Sequence, residues 1–158
     1  MTKKSIIIFG KFSNIDKINK IREKYDLLYR FINPHITLLF PFERDIPTNV
    51  LKEHMHEVLK NIKPFNLKLK GITGTMDNYI FLNVKKGKDE IIEIHDKLYT
   101  GILEKYLYRG LTYIPHITIG HLNDNDRLKK VIDEVTSISD EFKMTVEEIS
   151  TIEFVVKL

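Results

Sequence analysis

The stretch Ile32-Asn33-Pro34-His35-Ile36-Thr37-Leu38-Leu39-Phe40 contains a tetrapeptide, Pro34-His35-Ile36-Thr37, that recurs unchanged as Pro115-His116-Ile117-Thr118. Each copy lies in a short run of apolar and β-branched residues, which predicts a strand that begins after the proline. Side chains alternate between the two faces of a strand, so the histidine and threonine of each copy share a face. The isoleucines of both copies point the other way, toward a predicted core. The face with histidine and threonine must border either solvent or a site.

The alternation predicts the remaining positions of the two motif strands as well. In the first strand, Leu39 joins the histidine and threonine, while Leu38 and Phe40 share the core face. In the second strand, Gly120 shares the face of the histidine and threonine, and His121 points to the opposite face from His116.

The surroundings of the two tetrapeptides are also repeated. A strand, a helix, the motif strand, a second helix and a further strand are predicted in that order twice, and the second round begins near Tyr79. A turn-rich segment from Gly71 to Asn78 separates the rounds. These patterns predict one domain over residues 1–158, built from pseudo-symmetric lobes of about 1–74 and 75–158. The expected fold is α+β, with two mostly antiparallel sheets, helices outside them and a central groove where the motif strands meet.

Composition excludes several classes of protein. The chain has 158 residues and no cysteine, which rules out disulfides, cysteine nucleophiles and cysteine-based zinc sites. The N-terminal segment leads into only a short apolar run, and no stretch approaches the roughly 20 apolar residues of a membrane span. We therefore expect a cytoplasmic protein without a membrane partner. The net charge of +3 is compatible with an anionic substrate but does not by itself indicate nucleic-acid binding.

The repeated residues suit proton transfer at a phosphodiester. A histidine with an ordinary pKa of about 6.5 serves as acid or base near neutral pH. Two histidines across a groove could do both, with one accepting a proton from an attacking hydroxyl and the other protonating the leaving oxygen. The threonine hydroxyls could donate hydrogen bonds to the phosphate oxygens. This set of groups requires no metal or other cofactor.

The two His-x-Thr motifs, each preceded by proline, resemble those of the 2H phosphoesterase superfamily, which includes bacterial 2'-5' RNA ligases and cyclic phosphodiesterases. The stretch from Ile32 to Phe42 particularly resembles its small bacterial members. The resemblance implies a bilobal fold over nearly the whole chain. It also implies that His35 and His116 form the acid/base pair, that Thr37 and Thr118 bind phosphate, and that 2',3'-cyclic phosphates, 2'-5' linkages or related nucleotide esters are handled without a metal.

Other residues are weaker candidates for contacts with a nucleotide or an RNA end. Tyr79 and Phe81 share the polar-side face of a strand, and Tyr113 and Phe42 flank the motifs, so each could stack on a base; packing is the alternative for all four. Cations could attract phosphates, the alternative being a solvated surface. These cations are Lys68 and Lys70 on one strand face and Arg109 in the loop before the second motif.

The remaining histidines are predicted to be structural or exposed. His54 and His56 lie two positions apart on a helix and so face different directions, and His95 is also expected on a helix surface. A zinc site made of His35, His116 and His121 would need three converging ligands, which the strand phase disfavours.

Three functions are compatible with the sequence. The first is a metal-independent phosphodiesterase acting on 2',3'-cyclic phosphate or 2'-5' linked substrates. The second is 2'-5' RNA ligation by the same residues. The third is a nucleotide- or RNA-binding module with little turnover. A monomer is expected in each case.

Overall fold

The computed structural model describes residues 3–43, 45–137 and 139–158, so the first two residues of the N-terminal segment, Arg44 and Ile138 lie outside it. The strands are β1 (Lys4–Phe9), β2 (His35–Phe42), β3 (Phe65–Gly74), β4 (Tyr79–Lys86), β5 (His116–His121), β6 (Phe142–Val146), β7 (Glu148–Ser150) and β8 (Val155–Lys157). The helices are α1 (Ile15–Tyr25), α2 (Thr48–Leu59), α3 (Lys88–Leu98) and α4 (Asn125–Val135), with a 3₁₀ helix at Gly101–Tyr106.

Most elements were predicted from hydrophobic spacing, and the differences have local causes. The apolar spacing after Asp89 continues to Leu103, but α3 ends at Leu98 and the chain turns before the 3₁₀ helix at Gly101, whose φ of 54° lies in the left-handed region that favours glycine. Asp124 is the N-cap of α4, because its side chain accepts a hydrogen bond from the Arg127 N–H at 2.7 Å.

The described strands form one antiparallel sheet in the order β6-β3-β4-β5-β2-β1-β7-β8. The α+β class is therefore as predicted, but a single sheet replaces the two that were expected. The two motif strands lie side by side at its centre and are joined through the pair Ile36 and Ile117. Among the described strands, four lie on the side of β2 and four on the side of β5.

The two sides of the sheet do not follow the predicted lobe boundary near residue 74. β3 pairs with β4 and β6, so it belongs with the second motif strand although it precedes that boundary. β7 pairs with β1, and β8 with β7, so the C-terminal residues complete the side of the first motif strand. The description of residues 1–158 as a single domain stays a prediction.

The helices are exchanged between the two sides. α1 leads into β2 but packs on β5, and α3 precedes β5 but packs on β2. At the first contact, a Cβ on Gly120 would come 2.9 Å from the Cβ of Tyr25, so glycine permits the close approach of α1. At the second, the Tyr99 hydroxyl that follows α3 accepts a hydrogen bond from the Phe40 N–H at 3.2 Å. Each motif strand is thus covered by the helix that leads toward the other motif.

No helix among the described residues is long and apolar enough to cross a membrane.

Candidate active site

The two motif strands meet at their isoleucines. Ile36 and Ile117 are antiparallel partners, and each is 1% exposed, so both belong to the core face. Because neighbouring side chains alternate, the two histidines and two threonines of the motifs lie on the opposite face. The antiparallel register places each histidine beside the threonine of the other motif. The four residues singled out in the sequence therefore converge at the centre of the sheet.

Each motif histidine is oriented by the same kind of hydrogen bond. His35 Nδ1 donates to the carbonyl oxygen of Asn33 at 2.9 Å, and His116 Nδ1 donates to the carbonyl oxygen of Ile114 at 2.6 Å. A carbonyl oxygen only accepts, so Nδ1 carries the proton in both neutral rings. Nε2 is therefore the nitrogen that accepts a proton in each ring, or donates one once the ring is charged.

Both imidazoles are half-buried, and this burial lowers the pKa of each below its usual value of about 6.5. The hydrogen bond to the preceding carbonyl opposes this effect in both rings. The pKa of His35 is lowered further by the positive charge of Arg22, and the pKa of His116 is lowered further by His35. Both rings therefore favour the neutral state at neutral pH, and a bound anion would favour the charged state.

β4 places two aromatic rings against histidines of β5. Phe81 stacks on His116 with ring centroids 3.4 Å apart and planes 13° apart. Tyr79 stacks on His121 with centroids 4.0 Å apart and planes 9° apart. The shared face predicted for Tyr79 and Phe81 is confirmed, and it is the face that carries the motif side chains.

A β-bulge follows the threonine in each motif strand. Consecutive residues of β4 pair with Thr118 and Gly120, and consecutive residues of β1 pair with Thr37 and Leu39. One residue of each motif strand is left over between those positions, so the alternation of faces reverses beyond it.

The bulges overturn the strand phase predicted for the positions beyond them. Leu39 turns into the core, where it is fully buried, and Phe40 becomes exposed on the side of the motif residues. His121 likewise returns to the face of His116, stacked on Tyr79, although the alternation predicted the opposite face. Its Nε2 donates to the carbonyl oxygen of Asp77 at 3.0 Å.

A cavity of about 430 Å³ opens beside His116 on this face. Its walls include both motif threonines, the rings of Tyr79 and Phe81, Phe40, and side chains from residues 107–114. The volume lies within the range of about 300–1,000 Å³ that is typical of small-molecule sites. Six of its sixteen lining residues are phenylalanine or tyrosine, and aromatic rings of this kind can stack on a base.

Tyr113 and His95 form the support of this cavity. The Tyr113 hydroxyl donates to the carbonyl oxygen of Thr37 at 2.8 Å, and its ring stacks on His95 with centroids 3.9 Å apart. Burial raises the pKa of Tyr113, so its hydroxyl stays protonated and remains a donor. His95 is buried, which contradicts the predicted surface position, because α3 packs against the loop that carries Tyr113. The spacing of Ile91, Ile94 and Leu98 places His95 on the same apolar stripe of α3, so helical periodicity carries a signal for its burial.

The model of the 2'-5' RNA ligase superfamily matches residues 11–156, which include both motifs. The chain belongs to the 2'-5' RNA ligase superfamily. A protein from Bacillus licheniformis that carries a phosphoesterase name is 31% identical over 135 residues, which cover 82% of this chain and 77% of that protein.

Solved structures share the fold of this superfamily member at low sequence identity. TT0787 of Thermus thermophilus superposes with a TM-score of 0.65 at 14% identity, covering 99% of this chain and 93% of that one. E. coli LigT, crystallised with 3'-AMP, superposes with a TM-score of 0.61 at 13% identity, covering 95% of this chain and 86% of that one. The predicted superfamily fold is confirmed by these likenesses.

Phe42, Lys68 and Lys70 were predicted to contact substrate, but they do not line the cavity of this superfamily member. Phe42 is 4% exposed and packs on Tyr106 with ring centroids 5.0 Å apart, because a second register shift, between Leu39 and Phe42, turns its ring into the core. Lys68 Nζ lies 3.7 Å from a carboxylate oxygen of Glu141, and Lys70 Nζ lies 3.8 Å from the same oxygen. These lysines are partners of an acidic side chain, away from the cavity walls.

Arg109, His54 and His56 do not line the cavity. Arg109 is exposed, 4.0 Å from a carboxylate oxygen of Glu104, and its neighbours Tyr108 and Leu111 line the cavity. His56 is exposed as predicted, whereas His54 bridges two helices through a 3.1 Å contact of Nε2 with the carbonyl oxygen of Leu98. Within the described parts of the chain, no three histidine, cysteine, aspartate or glutamate side chains are grouped to hold a metal ion.

Proposed function

We propose that this protein is a metal-independent phosphodiesterase that acts on 2',3'-cyclic phosphates or 2'-5' linkages of nucleotides or RNA. The observation that carries the proposal is the paired arrangement of His35 and His116. In both rings Nδ1 donates to a backbone carbonyl oxygen, so Nε2 is the atom that can transfer a proton. Both rings lie on one face of the sheet, beside the two motif threonines. Acid and base are both present in this set of groups, so the proton transfers need no metal-bound water.

The proposed reaction is a displacement at phosphorus. One neutral histidine accepts the proton of water through Nε2 as the water oxygen bonds to phosphorus. The other histidine, protonated on Nε2, gives its proton to the ribose oxygen as the P–O bond breaks. For a 2',3'-cyclic phosphate the product is a phosphate monoester with one free ribose hydroxyl. Thr37 and Thr118 donate hydrogen bonds to the non-bridging oxygens that carry the negative charge.

The lowered pKa of both rings supports a role for the bound substrate in setting the protonation state of the two imidazoles. In the free protein, burial keeps both rings mainly neutral. A bound phosphodiester places a negative charge beside them and favours one imidazolium, which is the protonation state that the reaction needs.

The cavity and the relatives support a nucleotide as the substrate. The aromatic wall beside His116 offers stacking surfaces for a base. LigT was crystallised with 3'-AMP, and the B. licheniformis relative carries a phosphoesterase name. The superfamily model is named for 2'-5' RNA ligation, which is the same exchange run with a ribose hydroxyl in place of water.

The test is a panel of 2',3'-cyclic mononucleotides and of 2'-5' and 3'-5' dinucleotides, incubated with EDTA and followed by product identification. We expect turnover of a cyclic or 2'-5' substrate that survives chelation. His35→Ala and His116→Ala should each lower kcat by roughly 10²- to 10⁴-fold, with unchanged circular dichroism. His56→Ala, at an exposed position on α2, is the matched control. Activity that disappears with EDTA, or that survives in either motif variant, would refute the assignment.

A further inference from the structure

The residue three positions before each motif histidine is anchored to another part of the fold. Before His116 this residue is Tyr113, whose hydroxyl bonds to the first motif strand at 2.8 Å. Before His35 it is Ile32, whose carbonyl oxygen accepts a hydrogen bond from Arg22 Nη2 at 2.8 Å. In both motifs the next residue along the chain provides the carbonyl oxygen that holds Nδ1 of the histidine. Two different bonds thus fix equivalent positions of the two motifs.

Arg22 makes a second bond from the same buried group. It belongs to α1 and is 1% exposed. Its Nε donates to the carboxylate of Asp26 at 2.7 Å, and the Asp26 side chain is also largely buried. A guanidinium is planar and rigid, so the directions of its bonds to Asp26 and Ile32 are fixed relative to each other. One side chain therefore ties the beginning of loop A (residues 26–33) to its end.

Loop A has little else to fix it. Residues 26–33 all belong to the described part of the chain, and none of them is buried; Phe31 is 82% exposed. Burial of apolar side chains therefore contributes little to holding this loop. The backbone N–H groups of Tyr29, Phe31 and Ile32 bond to carbonyl oxygens within the loop, which shapes it without attaching it to the rest of the fold. The bond from Arg22 supplies that attachment.

Stability alone is a poor explanation for an arginine at this position. Arg22 is buried together with Ile18 and Ile21 on one side of α1, where helical periodicity favours an apolar residue. An apolar side chain would fill the space without the cost of removing two charges from water, and buried ion pairs are for this reason weak contributors to stability. The directed bonds to loop A are what an apolar side chain could not provide.

Arg22 lies close enough to His35 to act on its ring. Burial lowers the pKa of His35 most, the bond to the Asn33 carbonyl oxygen opposes this effect, and the positive charge of Arg22 lowers the pKa further. The pKa of His116 is lowered mainly by burial, and the charge that lowers it further is that of His35. Arg22 thus acts on one motif histidine, which leaves the other as an internal reference.

We propose that Arg22 is a positioning residue, which holds the peptide between Ile32 and Asn33 and thereby directs His35 Nε2 toward the reacting phosphate. This inference rests on the proposed phosphodiester chemistry between His35 and His116. Arg22 does not line the cavity, so it acts through His35 and not on the substrate. Its loss should lower kcat with little change in KM, because proton transfer depends on alignment far more than substrate binding does.

The test replaces the ion pair as a unit, in the variant Arg22→Met/Asp26→Asn. No buried charge is then left without a partner, and an asparagine oxygen at position 26 can still accept the bond from the Leu28 N–H, 2.9 Å in the parent protein. Such replacements often leave stability unchanged, so we expect an unaltered circular dichroism spectrum. On the substrate found in the panel, kcat should fall by about tenfold and KM should change by less than about twofold.

Lys4→Met is the matched control. Lys4 is a buried cation, 4% exposed, whose Nζ donates to the carbonyl oxygen of Ile46 at 2.9 Å, and it does not line the cavity. The control therefore removes the same kind of interaction elsewhere in the fold. It should leave kcat and KM unchanged.

Nitrogen NMR of the imidazoles gives a result that needs no substrate. In the parent protein, neutral His35 and His116 should each carry the proton on Nδ1, because a carbonyl oxygen accepts it. In Arg22→Met/Asp26→Asn, His35 should become a mixture of the two tautomers, whereas His116 should keep its proton on Nδ1. The Lys4→Met control should resemble the parent protein at both histidines.

Arg22→Lys keeps a cation beside Asp26 but lacks the planar fork, so it should show both changes to a lesser degree and serves if the double variant does not fold. Parent values of kcat and a single His35 tautomer in these variants would overturn the inference and leave the proposed function intact. A fall in kcat with an unchanged His35 tautomer would also overturn it, since the effect would not pass through that ring. A change of tautomer in a protein that cleaves no phosphodiester would refute the proposed function and keep Arg22 as the residue that positions His35.

Discussion

Replacing Tyr113 with phenylalanine removes one oxygen atom at the junction of the two motifs. That hydroxyl donates to the carbonyl oxygen of Thr37 at 2.8 Å, whereas the ring stacked on His95 stays in place. An ordinary hydrogen bond contributes about 0.5–1.5 kcal/mol, and a buried acceptor left unpaired raises the loss to about 1–3 kcal/mol. The carbonyl of Thr37 is only partly buried, so we expect Tyr113→Phe to lower the free energy of unfolding by about 1–2 kcal/mol.

The loss is measurable in both stability and activity. For a domain of this size each kcal/mol lowers Tm by about 2–4 °C, so thermal unfolding should shift by about 2–8 °C. The Thr37 hydroxyl would be less well placed against the phosphate, and kcat on the substrate found in the panel should fall by about tenfold, the equivalent of 1.4 kcal/mol. Tyr25→Phe removes an exposed hydroxyl of α1 that donates to Glu134 at 3.2 Å, away from the cavity walls; it is the control and should leave kcat unchanged. Equal Tm and kcat for Tyr113→Phe and the natural protein would show that this bond does not position the first motif.

Three further outcomes are expected. Because burial lowers the pKa of both His35 and His116, the plot of kcat/KM against pH should be bell-shaped with its maximum below pH 6.5, and a maximum above pH 7.5 would contradict the burial of the pair. Phe81→Leu removes the ring stacked on His116 and should lower kcat by about two- to tenfold, as expected for a stacking contribution of about 0.5–1.5 kcal/mol; a kcat equal to that of the natural protein excludes a positioning role for the ring. Gly120→Ala places a Cβ within 2.9 Å of the Tyr25 Cβ and should destabilise the protein by about 1–3 kcal/mol in urea unfolding, whereas an unchanged midpoint would mean that α1 can move away from β5 freely.

The motif strands show how far alternation alone can be followed. Up to the threonine of each motif, the period of two predicted the faces correctly, because a regular strand has no other way to arrange its side chains. Beyond the threonine, a bulge in each strand inserts one residue, and Leu39, Phe40 and His121 take the opposite faces from those predicted. A bulge arises from pairing with the neighbouring strand, so a strand read by itself carries no sign of it.

The exchanged helices show a second limit. Hydrophobic spacing correctly predicted α1 and α3 as amphipathic helices, since an apolar stripe must be buried somewhere. The same spacing says nothing about which sheet surface buries it. α1 packs on β5 and α3 packs on β2, so each helix covers the motif strand that does not follow it in the chain. His95 of α3 is therefore buried against the loop before the second motif.

By itself, the sequence determined that the molecule has two equivalent strands, each presenting a histidine and a threonine on one face and an isoleucine to the core. That follows from covalent geometry and from the hydrophobic effect acting on neighbouring residues. Only the tertiary structure decided that the two strands pair at Ile36 and Ile117, that Phe81 stacks on His116, and that Tyr113 reaches Thr37. Those contacts join residues far apart in the chain, and they depend on register and close packing, which no local pattern specifies.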